Sequence, residues 1–222
     1  LYYRGYNIHD LADHATFEEV VYLLWKGKLP DKAELKAFAA QLAAHRALPD
    51  GVLALMRGFP KPADSMDMLR TAVSALGMFD PDTGDNSAEA NERKALRVQA
   101  MMPTIVAAGE RLRNGQEPIA PREDLNLAGN LLYMLNGKDP DPLYARTLDI
   151  DFILHADHEL NASTFAARVT VSVGADLYSG MVSGIGTLSG PRHGAAAQET
   201  MEMLLEIGSP ERVEAWVRPK LT

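Results

Sequence analysis

Three observations predict an all-α fold for this sequence. Apolar residues recur at helical spacing through most of its length, cap-forming residues stand ahead of the segments that carry them, and the connections are short and rich in turn residues. The chain has 222 residues, 22 of them basic and 30 acidic, for a net charge of −8; 46% are hydrophobic and none is cysteine. A chain of this size forms one large domain or two small ones and buries roughly 70 to 75% of its unfolded surface. The missing cysteines exclude disulfides, thiolate nucleophiles and Cys-bearing zinc sites, and fit a reducing, cytoplasmic location. The acid excess argues against a nucleic-acid partner, and no apolar run approaches the about 18 residues of a membrane span. Leu1-Tyr2-Tyr3-Arg4-Gly5 has the pattern of neither a signal peptide nor an initiator product, so a processed or truncated N-terminus is expected.

Thr16 with Glu19 reads as a capping box ahead of Phe17, Val20, Val21 and Leu24, and Gly27 and Pro30 close that helix. Asp31 with Glu34 repeats the device before the stripe Leu35, Phe38 and Leu42. Met68, Leu69, Ala72, Val73 and Leu76 mark another helix, and residues 80–86 carry the Pro, Gly, Asp and Asn of a turn. A long helix follows, kinked at Pro103, with Met102, Ile105, Val106, Gly109 and Leu112 on one face. Leu127, Ala128, Leu131, Leu132 and Leu135 carry the next, after which Asp139-Pro140 supplies an N-cap with proline at the first helical position. Residues 169–173 alternate as a strand would, but Phe165, Val169, Val173 and Leu177 recur every fourth residue, and a lone strand lacks a partner; helix is expected. The sum is about ten helices in a single domain over 1–222, with no internal repeat or linker.

Two segments could carry chemistry. His155 and His158 in His155-Ala156-Asp157-His158-Glu159 share a face with Leu148 and Asp151 if the helix persists; taken alone, the pair reads more readily as a hydrogen-bonded core histidine beside an exposed one than as a site. A metal shared by the two rings lacks an obvious third ligand, and no histidine has Glu three residues before it as a di-iron bundle requires. No metal is therefore expected. His9, His14 and His45 read as surface residues. Residues 184–194 include a Gly-x-Gly, but without a preceding strand or a third glycine a dinucleotide fingerprint is poorly supported. Small residues such as Ala166, Ala167, Gly180 and Gly184 instead suit close helix packing. After Gly190-Pro191 a helix with Ala197, Met201, Leu204 and Leu205 on its apolar face begins, which places His193 at a helix N-terminus. The positive dipole end there favours a neutral ring able to donate a hydrogen bond to a substrate oxygen.

Several segments together resemble citrate synthase, in order and at family spacing, over essentially all 222 residues. They are Leu1-Tyr2-Tyr3-Arg4-Gly5-Tyr6, Phe17-Glu18-Glu19-Val20 with Tyr22-Leu23-Leu24-Trp25 and Gly27-Lys28-Leu29-Pro30, Met66-Asp67-Met68-Leu69-Arg70-Thr71-Ala72-Val73-Ser74, His155-Ala156-Asp157-His158-Glu159, and Ser189-Gly190-Pro191-Arg192-His193-Gly194. The resemblance implies an all-α, multi-helix large domain of a citrate-synthase-like fold, without the small domain. It implies that His158 binds oxaloacetate with Asn161 close by, that His193 is the catalytic residue polarising the acetyl-CoA thioester carbonyl, and that Ser163 supports it. Acetyl-CoA and oxaloacetate would be substrates, with no resident cofactor, and the protein a homodimer. The family's second active-site histidine, its aspartate base and its carboxylate- and CoA-binding arginines match nothing in this sequence, so the 222 residues alone are expected to be inactive. Alternatives remain: a 2-methylcitrate synthase using propionyl-CoA, a non-catalytic helical dimerisation module, or a metal-binding bundle using His155 and His158.

Overall fold

The computed structural model describes residues 1–221, the side chain of Ala197 excepted; Thr222 and the Ala197 position on the expected apolar face lie outside that description. Twelve α-helices run through the described residues, two more than the sequence suggested, preceded by a small antiparallel hairpin, β1 (Tyr2–Tyr3) and β2 (Tyr6–Asn7). Arg4 and Gly5, at φ 50° and 91°, form its turn with the positive φ that two-residue hairpins use. The helices are α1 (Ile8–His14), α2 (Phe17–Lys26), α3 (Lys32–Ala44), α4 (Asp50–Arg57), α5 (Ser65–Phe79), α6 (Ala88–Arg113), α7 (Leu127–Asn136), α8 (Pro142–His155), α9 (Ala162–Ser172), α10 (Leu177–Leu188), α11 (Ala195–Ile207) and α12 (Val213–Val217). No helix among the described residues is long and apolar enough to cross a membrane.

Both expected capping boxes form. The Glu19 amide donates to Thr16 Oγ1 and the Thr16 amide to Glu19 Oε2, while Asp31 and Glu34 make the same exchange. The cap of α8 is corrected by one step: Asp141, not Asp139, accepts from the Leu143 amide, and Pro142 takes the first helical position. Two Asp-Pro pairs in succession made the register ambiguous. Helix α6 continues through Pro103, but its buried stripe is Val98, Met101, Ile105 and Ala108, and Val106 is exposed. Ile105 and Gly109 of the expected stripe are buried, Met102 and Leu112 pack at the edge of the core, and fully buried Lys94 lies on the same helix nearer its start.

The main core joins α4, α5, α6 and α10 through Val52, Met56, Val73, Leu76, Ile105, Tyr178 and Ile185. A second cluster joins the hairpin, α1, α2 and α8 through Tyr3, Leu11, Val20, Leu23 and Ile153. Each such large side chain contributes about 1.5–3 kcal/mol by leaving water. Polar groups stitch these layers together. The Leu127 amide at the start of α7 donates to the buried Glu18 carboxylate at 2.7 Å, and the Phe17 amide donates to buried Asp149 at 3.2 Å. Arg97 forks onto Asp80 and also reaches Asp82, Tyr178 donates its hydroxyl to Asp80, and buried Lys94 donates to the Asp85 carbonyl at 2.6 Å. The turn at 80–87 is thereby clamped onto α6 and α10.

Helices α9 and α10 form an antiparallel hairpin whose contact needs small residues. A Cβ at Gly180 would lie 2.7 Å from Val171 Cγ1, and one at Gly184 would be 3.6 Å from the Ser163 carbonyl oxygen. The helix expected from Phe165, Val169, Val173 and Leu177 is present in part: α9 ends at Ser172, a turn at Gly174 follows, and Leu177 begins α10. Its four-residue stripe does not face the core, however. Phe165, Val169 and Val173 are exposed, the last by 84%, and so are Met201, Leu204 and Leu205 on α11.

Candidate functional site

The α9–α10 hairpin returns the chain to its own beginning, so residues 30 apart in sequence meet. Asn161 is the N-cap of α9: its Oδ1 accepts from the Thr164 amide at 2.9 Å, which satisfies one of the free amides of the first helical turn. The same oxygen accepts from Ser163 Oγ at 2.7 Å, and Ser163 Oγ lies 3.0 Å from His193 Nε2. All three side chains are half-buried. His193 is held from the other side by the tight turn after α10, where its amide donates to the Gly190 carbonyl at 3.0 Å. Gly194 follows because nothing larger fits: a Cβ there would lie 2.6 Å from the Leu188 carbonyl oxygen.

His158 stands apart from this cluster. Helix α8 stops at His155, so the shared face expected for Leu148, Asp151, His155 and His158 ends one turn early. His155 turns back along its own helix, with Nδ1 2.8 Å from the Asp151 carbonyl oxygen and 3.3 Å from its carboxylate. His158 lies exposed in the connection to α9, followed by Glu159 at φ 55°, a left-handed conformation that a side chain of this size rarely adopts. That connection is anchored by a residue the sequence did not single out for the site. The buried Tyr3 donates its hydroxyl to the Leu154 carbonyl and accepts from the Asp157 amide, both at 3.3 Å, and burial raises its pKa above the ordinary phenol value. Its only sequence signal was a place in the segment Leu1–Tyr6, with nothing local to connect it to residue 157.

His9, His14 and His45 are exposed, as expected. No group of three or more His, Cys, Asp or Glu among the described residues could hold a metal ion. A cavity of about 530 Å³ between α5, α9 and α10, lined by Ser74, Thr170, Asp176 and Ser183 among others, includes none of the site residues.

The fold and the site together define a predominantly helical protein in which a half-buried histidine and a serine hydroxyl, set at the starts of two helices, are in contact. The chain belongs to the citrate synthase family: the family model described as "Citrate synthase, C-terminal domain" matches residues 1–222. It is 47% identical to citrate synthase 2 of Bacillus subtilis, over all of this chain and 60% of that protein. It is 44% identical to the 2-methylcitrate synthase of Mycobacterium tuberculosis, over all of this chain and 56% of that one. Among solved structures, citrate synthase from the archaeon Thermoplasma acidophilum, in ternary complex with carboxymethyl coenzyme A and oxaloacetate, superposes with a TM-score of 0.89 at 29% identity, over 96% of this chain and 56% of that one. The chain spans somewhat more than half the length of these relatives.

Proposed function

We propose that the protein containing these residues condenses acetyl-CoA with oxaloacetate and water to give citrate and CoA. The contact between His193 and Ser163, held by Asn161, is the observation that carries this reading. His158 and Asn161 bind oxaloacetate. His193 donates a hydrogen bond to the thioester carbonyl oxygen while a carboxylate outside this sequence removes a methyl proton. Charge developing on that oxygen in the enolate is stabilised by the donor, and each partner of such acid–base chemistry contributes roughly 10² to 10⁴ fold. The enolate carbon attacks the keto carbon of oxaloacetate, whose oxygen takes up a proton, and water hydrolyses the resulting citryl thioester. Acetyl-CoA is consumed as substrate, and no resident cofactor or metal takes part.

Residues 1–222 make up most of the large domain of this enzyme, with the remaining substrate-binding groups and the small domain supplied by further chain. The exposed stripe Phe165, Val169 and Val173 supports a homodimer, since monomers rarely leave such a surface open. The absence of cysteine supports a cytoplasmic setting.

The relative named 2-methylcitrate synthase supports a second reading, in which propionyl-CoA is the acyl donor. Thiol release by the full-length protein, measured with oxaloacetate and each thioester, separates the two. Faster turnover of acetyl-CoA upholds the first reading, faster turnover of propionyl-CoA the second, and no release with either refutes both. His193→Ala should then lower kcat, whereas His158→Ala should first raise KM for oxaloacetate, a ground-state partner.

A further inference from the structure

We propose that Asn161 sets the tautomer of His193, acting through the hydroxyl of Ser163. Ser163 Oγ carries one hydrogen and has two acceptors in reach, Asn161 Oδ1 at 2.7 Å and His193 Nε2 at 3.0 Å. The amide oxygen is identified independently of the hydroxyl, because the same atom accepts the N-cap bond from the Thr164 amide. An oxygen that accepts from Thr164 has no hydrogen to give to Ser163, so at 2.7 Å the hydroxyl must donate to it. Having spent its only hydrogen there, Ser163 can only accept from the ring. The neutral imidazole then carries its hydrogen on Nε2 and leaves Nδ1 bare, and nothing among the described residues hydrogen-bonds Nδ1.

A bare Nδ1 accepts but does not donate. The function proposed above needs the reverse, because Nε2 is occupied by Ser163 and the substrate carbonyl must meet Nδ1–H. The resting arrangement is therefore a held-back state. It is released when the Ser163 hydroxyl rotates about Cβ–Oγ to donate to Nε2. Nε2 gives its proton to water, Nδ1 takes one from water, and the net charge is unchanged. A ligand that turns the Asn161 side chain away removes the competing acceptor and favours the donor tautomer. Asn161 is thus a positioning residue that links substrate capture to the readiness of His193. This step rests on the citrate synthase reading for its substrate, while the tautomer itself rests on geometry alone.

The test is long-range ¹H–¹⁵N NMR of histidine-labelled protein at a pH well above the ordinary imidazole value of about 6.5. The wild type should show His193 mainly as Nε2–H. Asn161→Ala should move the ratio toward Nδ1–H by about fivefold, the equilibrium weight of one net hydrogen bond. Asn161→Asp, which keeps an acceptor and a cap at that place, should restore the wild-type ratio. In a Ser163→Ala background the Asn161→Ala change should have no effect on the tautomer. A wild-type ring that is mainly Nδ1–H overturns the proposal whether or not any variant folds. So does an unmoved ratio in Asn161→Ala, or the same shift with Ser163 removed. A protein without condensation activity would refute the proposed function and leave this ratio as expected.

Discussion

Replacing Gly194 by Ala should disrupt the site through sterics alone. Gly194 has φ −65° and ψ −31°, a conformation any residue adopts, so its backbone gives no reason for glycine. The reason is the 2.6 Å separation between an added Cβ and the Leu188 carbonyl oxygen, with Leu188 Cδ1 equally close. A close carbon–oxygen contact settles at about 3.3 Å, so the turn must yield by about 0.7 Å. A backbone oxygen at a helix end cannot rotate away as a side chain can. Overpacking of this kind costs about 1–3 kcal/mol, and alanine is no better than glycine at an N-cap. A cost of about 2 kcal/mol lowers Tm by about 4–8 °C in a chain of this length. Transmitted to the ring, the same displacement stretches the 3.0 Å contact between His193 and Ser163 to about 3.7 Å, beyond hydrogen bonding. Gly186→Ala is the control: its Cβ would meet the flexible Arg70 side chain, Cδ at 3.6 Å and Nη1 at 4.0 Å, both ordinary contacts, inside α10 where alanine is favoured by up to about 1 kcal/mol. Thermal unfolding followed by circular dichroism, with histidine NMR, reads both effects. A Gly194→Ala protein that melts with the wild type and leaves the His193 signals unmoved would refute the reasoning.

Burial raises the Glu18 pKa above its ordinary 4.5, outweighing the Leu127 amide, so its contribution to stability is present below that value and lost as pH rises through the folded pKa. Glu18→Gln should accordingly gain stability relative to wild type as pH rises above the ordinary 4.5 in urea titrations, and a difference that stays constant with pH would contradict this. Burial alone would raise the Asp80 pKa, but bonds from Arg97 and Tyr178 lower it below the ordinary 3.8; its stabilisation is present above that value and lost as pH falls through the folded pKa. Asp80→Ala strands a mostly buried Arg97 and should cost about 3–5 kcal/mol at neutral pH, and a loss below about 1 kcal/mol would show the pair to be dispensable. Val169→Glu with Val173→Glu should dissociate the expected dimer, and unchanged sedimentation would place the interface elsewhere. The 222-residue chain alone should release no thiol from acetyl-CoA and oxaloacetate above background.

Local chemistry was the most legible part of the fold. Thr16 with Glu19 and Asp31 with Glu34 act within four residues, so the pattern contains the whole interaction. The periodic stripes located helices well but assigned their faces less well. Phe165, Val169 and Val173 look like core residues because periodicity reports an apolar face and does not name what covers it. Buried Glu18, Lys94 and Asp149 were invisible for the opposite reason: each is tolerated inside by a partner distant in sequence or by backbone carbonyls. At the site, the resemblance pointed to His158, Asn161, Ser163 and His193. The bonds from Ser163 to Asn161 and His193 depend on how two helices fold back on each other, which no spacing rule supplies.

The α9–α10 hairpin also acts as a ruler. One arm carries Asn161 and Ser163 at its origin and the other delivers His193 beside them, so the register between the arms fixes the distance at the site. Each residue inserted into an arm would advance the chain by about 1.5 Å and turn it by about 100°. An insertion of one residue in either arm therefore separates the histidine from its hydroxyl even though every site residue is retained. Residues 161–194 therefore work as a unit of fixed length: adding or removing a residue in either arm would break the contact between Ser163 and His193.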